Sequence, residues 1–138
     1  MTAKKAAAPR HRVLIVDDEE STRLLIARLL TTGMDVEAQL AGTCEQALRL
    51  ANDYAYDAIL LDLQMPGIGG FEVLKAIRAG SANMATPIMI VSVRDDMETN
   101  DRCIAAGADG FLVKPVERRS LVYAVKALLA ARGKRKPA

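Results

Sequence analysis

Ala58-Ile59-Leu60-Leu61-Asp62-Leu63-Gln64-Met65-Pro66-Gly67 runs from four apolar residues into a carboxylate and then into a Met-Pro-Gly breaker. An apolar run without alternation is expected of a strand buried on both faces. Met-Pro-Gly then ends regular structure. A carboxylate at that edge is held rigidly, faces solvent, and can serve as a nucleophile or as a metal ligand. Its company in the rest of the chain decides between them.

Four more short runs resemble strands: Arg12–Val16, Val36–Ala41, Pro87–Val91 and Gly110–Val113, with Asp57–Leu61 as the third of five. The second alternates Val36, Ala38 and Leu40, which suits a sheet edge. Helical patterns lie between the runs. Glu19 and Glu20 suit a helix start that Gly33 would close, and Thr43-Cys44-Glu45-Gln46 has capping-box spacing. Gly70 and Gly80 bracket a third helix, and Asp95 or Asp96 opens a fourth that ends near Gly107. Leu121, Val122, Val125, Leu128 and Leu129 form an amphipathic stripe closed by Gly133. Strict alternation of this kind predicts an α/β domain, a doubly wound parallel sheet with helices on both faces. Sites in such folds lie beyond the carboxyl ends of the strands.

With 138 residues, half of them hydrophobic, few aromatic and no Trp, the chain fits one domain with an aliphatic core. A single domain is expected at 11–132, with basic, disordered tails at 1–10 and 133–138. The net charge of +2 is too small to argue for nucleic acid, and the terminal Lys and Arg clusters read most simply as solvated ends. Cys44 and Cys103 lack metal spacing and read as buried thiols in a reducing compartment. No secretory h-region or membrane-length apolar stretch is present, so a cytoplasmic protein is expected.

Polar residues follow four of the five runs: Asp17-Asp18-Glu19-Glu20, Asp62, Ser92, and Lys114-Pro115. In a parallel sheet these gather at one edge. Carboxylates held together repel unless a cation joins them. An oxygen-only set without His or Cys favours Mg²⁺, with Mn²⁺ as the alternative. Asp17, Asp18 and Asp62 carry −3, and Mg²⁺ with Lys114 carries +3, so the site can accept a dianionic phosphoryl group. Singly, each residue has a plainer role as a helix cap, a turn hydroxyl or a surface lysine. Four such coincidences at four strand ends favour phosphoryl transfer, with Asp62 attacking phosphorus.

At these residues the chain resembles the receiver domain of bacterial two-component response regulators, of the chemotaxis-regulator type and without an attached output domain. The resemblance rests on Val16-Asp17-Asp18-Glu19, Leu61-Asp62-Leu63-Gln64-Met65-Pro66-Gly67, Ile90-Val91-Ser92, Gly107-Ala108-Asp109-Gly110-Phe111 and Lys114-Pro115. It implies a flavodoxin-like (βα)5 fold with strand order 2-1-3-4-5. It also implies that Asp62 accepts a phosphoryl group from a sensor histidine kinase or a histidine phosphotransfer protein. Mg²⁺ would be held by Asp18, Asp62 and the backbone carbonyl of Gln64, with Asp17 acting through water. Lys114 would pair with the phosphoryl oxygens, Ser92 would swing towards them, and Phe111 would report the change to the surface of the fourth helix, fifth strand and fifth helix. That surface would engage a downstream protein or a second copy of the chain; neither membrane nor nucleic acid is expected as a partner. The Lys114-Pro115 bond is expected to be cis. Such a protein is not an enzyme but assists its own phosphotransfer and autodephosphorylation.

Three positions depart from the commonest pattern. Ser92 stands for Thr, Val93 for a smaller Ala, and Phe111 for Tyr. Val93 is expected to crowd the phosphoryl group, and Gln64 and Arg94 flank it. A haloacid-dehalogenase-type phosphatase would need an acid two residues beyond the nucleophile, where this chain has Gln64. No GxxxxGK[ST] loop supports a P-loop NTPase. A degenerate, constitutive receiver would lack one of the acids or Lys114, and all are present. The initiating Met and the closing tail fit a complete chain or a chain end.

Overall fold

In a computed structural model that describes residues 11–134, with side chains to residue 131, five strands alternate with five helices. The strands are β1 (His11–Val16), β2 (Val36–Ala41), β3 (Ala58–Leu61), β4 (Ile88–Ser92) and β5 (Gly110–Val113). The helices are α1 (Glu20–Gly33), α2 (Cys44–Asp53), α3 (Gly70–Gly80), α4 (Met97–Ala106) and α5 (Arg118–Lys134). All strand pairs are parallel and the order is β2-β1-β3-β4-β5. The unbroken apolar runs occupy the centre, where every residue of β3 and β4 is buried. The alternating run forms the β2 edge, as its pattern required.

Successive strand residues point to opposite faces, so each strand feeds two cores. Leu14, Val16, Ile59, Leu61, Ile88 and Ile90 pack with α2, α3 and the single buried residue of α4, Cys103. Val13, Ile15, Leu60, Met89 and Val91 pack with Ile26 and Leu30 of α1 and Leu121, Val125 and Leu128 of α5. Both cysteines are free and buried. The core is aliphatic with one large exception, Tyr56, which is 1% exposed.

Strand limits shift by one residue where side chains or proline intervene. β3 starts at Ala58; the preceding Asp57 bonds to Arg12 of β1 through both groups, its amide donating to the Arg12 carbonyl and its carboxylate accepting the Arg12 amide, each at 2.8 Å. Pro87 has no amide to offer a ladder, so β4 begins at Ile88 and extends to Ser92. In α2 the Thr43 hydroxyl accepts the Gln46 amide at 3.0 Å, and the Gln46 carboxamide accepts the Gly42 amide at 2.9 Å, one residue short of a full capping box. α5 does not close at Gly133 and runs to Lys134, since the Leu121–Leu128 stripe already anchors its preceding turns. The 1–10 tail and residues 135–138 lie outside the described residues.

Two polar clamps fasten the sheet's far side. Asn83, fully buried, donates to the carbonyls of Ala51 at 2.7 Å and Tyr54 at 2.8 Å. Its oxygen accepts the Tyr56 amide at 2.7 Å and the Thr86 hydroxyl at 3.0 Å. Arg78 donates to the Gly107 carbonyl at 3.0 and 2.8 Å and pairs with Asp109 at 2.9 Å, fixing the C-terminal end of α4 against α3. Gly107 itself has φ +112°, and a Cβ there would meet the Arg78 side chain at 2.8 Å. The opposite end of α4 is capped by Asp96, whose carboxylate accepts the Thr99 amide at 2.9 Å. That bond, with help from Arg94, holds the Asp96 pKa down to about 2.

Candidate phosphoryl-transfer site

The functional side chains stand at the carboxyl ends of the strands because the sheet's hydrogen bonding continues past each strand. The Asp17 amide donates to the Ala41 carbonyl at 3.1 Å, the Asp62 amide to Val16 at 2.9 Å, and the Lys114 amide to Ser92 at 2.9 Å. Three of these residues then brace themselves with the same local device. The Asp17 carboxylate accepts the Glu19 amide at 2.9 Å, Asp62 accepts the Gln64 amide at 3.1 Å, and the Ser92 hydroxyl accepts the Arg94 amide at 3.1 Å. Each is a two-residue side-chain turn that bends the backbone away from the sheet. It leaves the side chain facing the common edge.

Asp17, Asp18 and Asp62 bring one carboxylate oxygen each to within 4.8 Å of the others. Asp17 and Asp62 are buried and Asp18 is exposed. Lys114 donates to Asp17 at 2.8 Å and lies 3.6 Å from Asp62. Burial pushes the Asp62 carboxyl above its usual range, against the pull of the Gln64 amide and the Lys114 ammonium. Burial alone would lower the Lys114 pKa, but the Asp17 hydrogen bond and the Asp62 charge outweigh it and raise the value. Three carboxylates against one ammonium leave a local charge of about −2, which suits one divalent cation with oxygen ligands. Cys and His take no part in this cluster.

The structure brings Asp17, Asp18, Asp62 and Lys114 together as the spacing required. Ser92 ends β4, joined to Lys114 through the backbone, and the Lys114-Pro115 bond is cis. Phe111 lies half-buried against the α2–α4 core. Val93 is 62% exposed and lines a hollow of about 370 Å³ with Thr22, Leu25, Lys114, Pro115 and Val116.

Two supports were not evident from motif spacing. Arg23 on α1 donates to the Asp17 carbonyl at 2.8 Å, which holds the acidic turn against the helix. Gly70 sits so close to the loop that a Cβ would fall 2.1 Å from the Asp62 carbonyl oxygen and 2.6 Å from Leu63 Cα. Gly67 and Gly69 adopt φ of +91° and +88°, which gives the loop the turn it needs to reach that contact. Replacing Gly70 by alanine forces the Asp62 backbone to move. Urea unfolding should report a loss of about 1–3 kcal/mol, with Asp62 chemistry impaired at the same time. Unchanged stability and unchanged reactivity would show that the loop yields freely.

The parallel five-stranded sheet, the acidic cluster at its carboxyl edge and the lysine after β5 are those of a receiver domain, and the comparison with known families agrees. The family model described as "Response regulator receiver domain" matches residues 13–126, and the chain belongs to that family. It is 38% identical over 123 residues to the transcriptional regulatory protein PrrA of Mycobacterium tuberculosis, covering 88% of this chain and 51% of that protein. To the cell cycle transcriptional regulator CtrA of Caulobacter vibrioides it is 34% identical over 119 residues, covering 86% and 50%. The chain thus spans about half the length of these curated relatives. Among solved structures, the chemotaxis protein CheY4 of Vibrio cholerae superposes with a TM-score of 0.82 at 33% identity, covering 86% of this chain and 98% of that one. The receiver domain of a Pseudomonas aeruginosa PAO1 sensor histidine kinase gives 0.79 at 26% identity, covering 87% and 98%. That structure carries a magnesium ion in its active-site cleft. Among the described residues no helix is long and apolar enough to cross a membrane.

Proposed function

We propose that this receiver is switched by phosphorylation of Asp62. The observation that carries the reading is the Asp62 carboxylate itself: buried, braced by Gln64, and held between Asp17, Asp18 and the Lys114 ammonium. In the transfer, an Asp62 oxygen attacks the phosphorus of a phosphohistidine. The new O–P bond forms as the N–P bond breaks, and the imidazole leaves with the electron pair. Asp18, Asp62 and the Gln64 carbonyl would hold Mg²⁺ directly, and Asp17 through water. Bound there, the ion supplies positive charge for the equatorial phosphoryl oxygens. Mn²⁺ suits the same oxygen donors.

Lys114 exchanges its bond to Asp17 for one to a phosphoryl oxygen, a charge-assisted contact that Asp17 alone cannot match once a dianion is present. Ser92 gives up the Arg94 amide and donates its hydroxyl proton to the phosphoryl group. Phe111 follows into the space released, altering the surface of α4, β5 and α5. A sensor histidine kinase or a histidine phosphotransfer protein supplies the phosphoryl group, and that altered surface recruits a downstream protein or a second copy of the chain. Gln64 offers no acid for rapid turnover, so the protein acts as a cytoplasmic switch that hydrolyses its own acyl phosphate slowly.

The test is intact-mass measurement after incubation with acetyl phosphate and Mg²⁺. One added phosphoryl group is expected on the wild type, none on Asp62→Asn, and none after chelation of the metal. An unmodified wild type, or a modified Asp62→Asn, overturns the reading. Val93 tests access to the same centre. Val93→Ala clears the rim of the hollow beside Lys114, and both phosphorylation and loss of the label should accelerate severalfold. Equal rates in the two proteins would remove Val93 from the reaction's control.

A further inference from the structure

Of the three clustered acids, Asp18 is the one whose carboxylate makes no hydrogen bond or ion pair among the described residues. Asp17 is braced by the Glu19 amide and by Lys114, and Asp62 by the Gln64 amide and by Lys114. Asp18 is therefore aimed by its backbone, which begins at the peptide group it shares with Asp17. The Asp17 amide is fixed to β2, donating to the Ala41 carbonyl at 3.1 Å. The Asp17 carbonyl, half of the peptide group that carries Asp18, is held from α1, where Arg23 Nη1 donates to it at 2.8 Å.

Arg23 reaches that carbonyl through a space that a glycine leaves open. A Cβ on Gly42 would lie 2.7 Å from Arg23 Nη1, the donating atom itself, and 3.1 Å from Cζ. Gly42 is pinned where it stands: its amide donates to the Gln46 carboxamide at 2.9 Å, and Ala41 before it closes β2. Its own dihedrals do not call for glycine, since among the described residues positive φ is confined to Gly67, Gly69 and Gly107. An added methyl group therefore displaces the tip of the arginine, and the arginine yields by leaving Asp17. The plain alternative is a surface cation drawn to acidic neighbours. Against it, Arg23 bonds Asp17 through the backbone carbonyl and not the carboxylate, and it forms no ion pair among the described residues.

We propose that Arg23, admitted by Gly42, is a positioning residue for the cation site: it fixes the Asp17–Asp18 peptide group so that the otherwise unbraced Asp18 carboxylate meets Mg²⁺. The inference rests on the reading that Asp18 holds the ion directly. Charge and geometry call for opposite results when Arg23 is removed. A cation beside the acids repels Mg²⁺, so loss of the charge alone tightens binding. Loss of the group that orients a ligand weakens it. Replacing Gly42 leaves every charge in place and moves only the guanidinium, so it isolates the geometric effect.

Calorimetric titration of the full chain with magnesium chloride, without any phosphoryl donor, reads the effect. Arg23→Met and Gly42→Ala are each expected to weaken Mg²⁺ binding about tenfold, the scale for a residue that orients a metal ligand. Asp18→Asn should weaken it at least as much. Gly42→Ala should leave the urea midpoint unchanged, because only the end of a flexible side chain has to move, and this separates placement of the ligand from support of the fold. In the double variant the two losses should not add, since the atom that the alanine displaces is already gone. Circular dichroism shows whether Arg23→Met is folded, and Gly42→Ala carries the test if it is not. Unchanged or tighter binding by folded Arg23→Met, wild-type binding by Gly42→Ala or by Asp18→Asn, or additive losses overturns the proposal. A wild type that binds Mg²⁺ while the Arg23 and Gly42 variants bind it equally well overturns this inference alone. A wild type that binds none overturns the Mg²⁺ reading of the phosphoryl site with it.

Discussion

Lys114→Ala is expected to destabilise the protein by about 2–4 kcal/mol, because it strips from two buried carboxylates the one ammonium that pairs with them among the described residues. Asp17 is 1% exposed and Asp62 4%, and Lys114 reaches them at 2.8 and 3.6 Å. The sign of the pH dependence follows. Burial already holds the Asp62 carboxyl above its usual range, and without the ammonium that opposes this its folded-state pKa rises further above the unfolded value, so the charged form is the costly one. The gap between variant and wild type should therefore narrow as pH falls and the acids protonate. Added Mg²⁺ should also restore part of the stability by binding the trio. Acyl-phosphate formation with acetyl phosphate should fall by about a hundredfold or more, since a positive charge aimed at the equatorial oxygens is lost. Urea titrations with and without Mg²⁺ across pH 5–8 measure the first effects, and intact-mass kinetics the last. A variant as stable and as reactive as the wild type would mean that the ion pair is incidental.

Asn83→Ala carries a comparable cost for a different reason. The side chain is fully buried and uses both donors and both acceptor positions, on Ala51, Tyr54, Tyr56 and Thr86. Truncation leaves the Ala51 and Tyr54 carbonyls and the Tyr56 amide without this partner at once, while the Thr86 hydroxyl keeps the Tyr56 carbonyl at 3.2 Å. At about 1–3 kcal/mol for an orphaned group, partly relieved by entering water, a loss of about 3–4 kcal/mol is expected. Thermal unfolding should move down by roughly 10 °C. Because the clamp sits at the amino ends of β3 and β4, metal binding at the opposite edge should survive in the folded fraction. A loss below about 1 kcal/mol would show that the neighbouring backbone groups find other partners.

The contrast between these two residues explains what a sequence can reveal. Lys114 was legible because it belongs to a pattern: a polar residue directly after an apolar run, repeated at Asp17, Asp62 and Ser92. Periodicity gave five strands and five helices, and the alternation of β2 placed that strand at an edge. Strand order came from family resemblance, since spacing along the chain carries no record of which strands are neighbours. Asn83 was illegible. It lies in Ser81-Ala82-Asn83-Met84, an ordinary loop composition, and its partners are up to 32 residues away. Arg23 and Gly70 escaped for the same reason: each acts through a backbone atom made near by folding. Gly133 misled in the opposite direction, because tertiary packing upstream outweighs a single glycine's preference.

The clamp between Arg78 and Gly107 makes α4 a lever. Its C-terminal end is fastened by paired hydrogen bonds, by buried Cys103 and by Arg102 stacked 4.3 Å over the Phe71 ring. The other end rests on the Asp96 cap and on a loop suspended from the Ser92 hydroxyl, with Met97 77% exposed. Ten residues span about 15 Å, so a tilt of about 10° around the fastened end carries the free end about 2.6 Å while the pivot hardly moves. A shift of the Ser92–Asp96 loop would thus enter at the free end and express itself as a tilt of α4 about its fastened end. The fulcrum is Arg78, a residue that belongs to α3 and lies outside the acidic cluster.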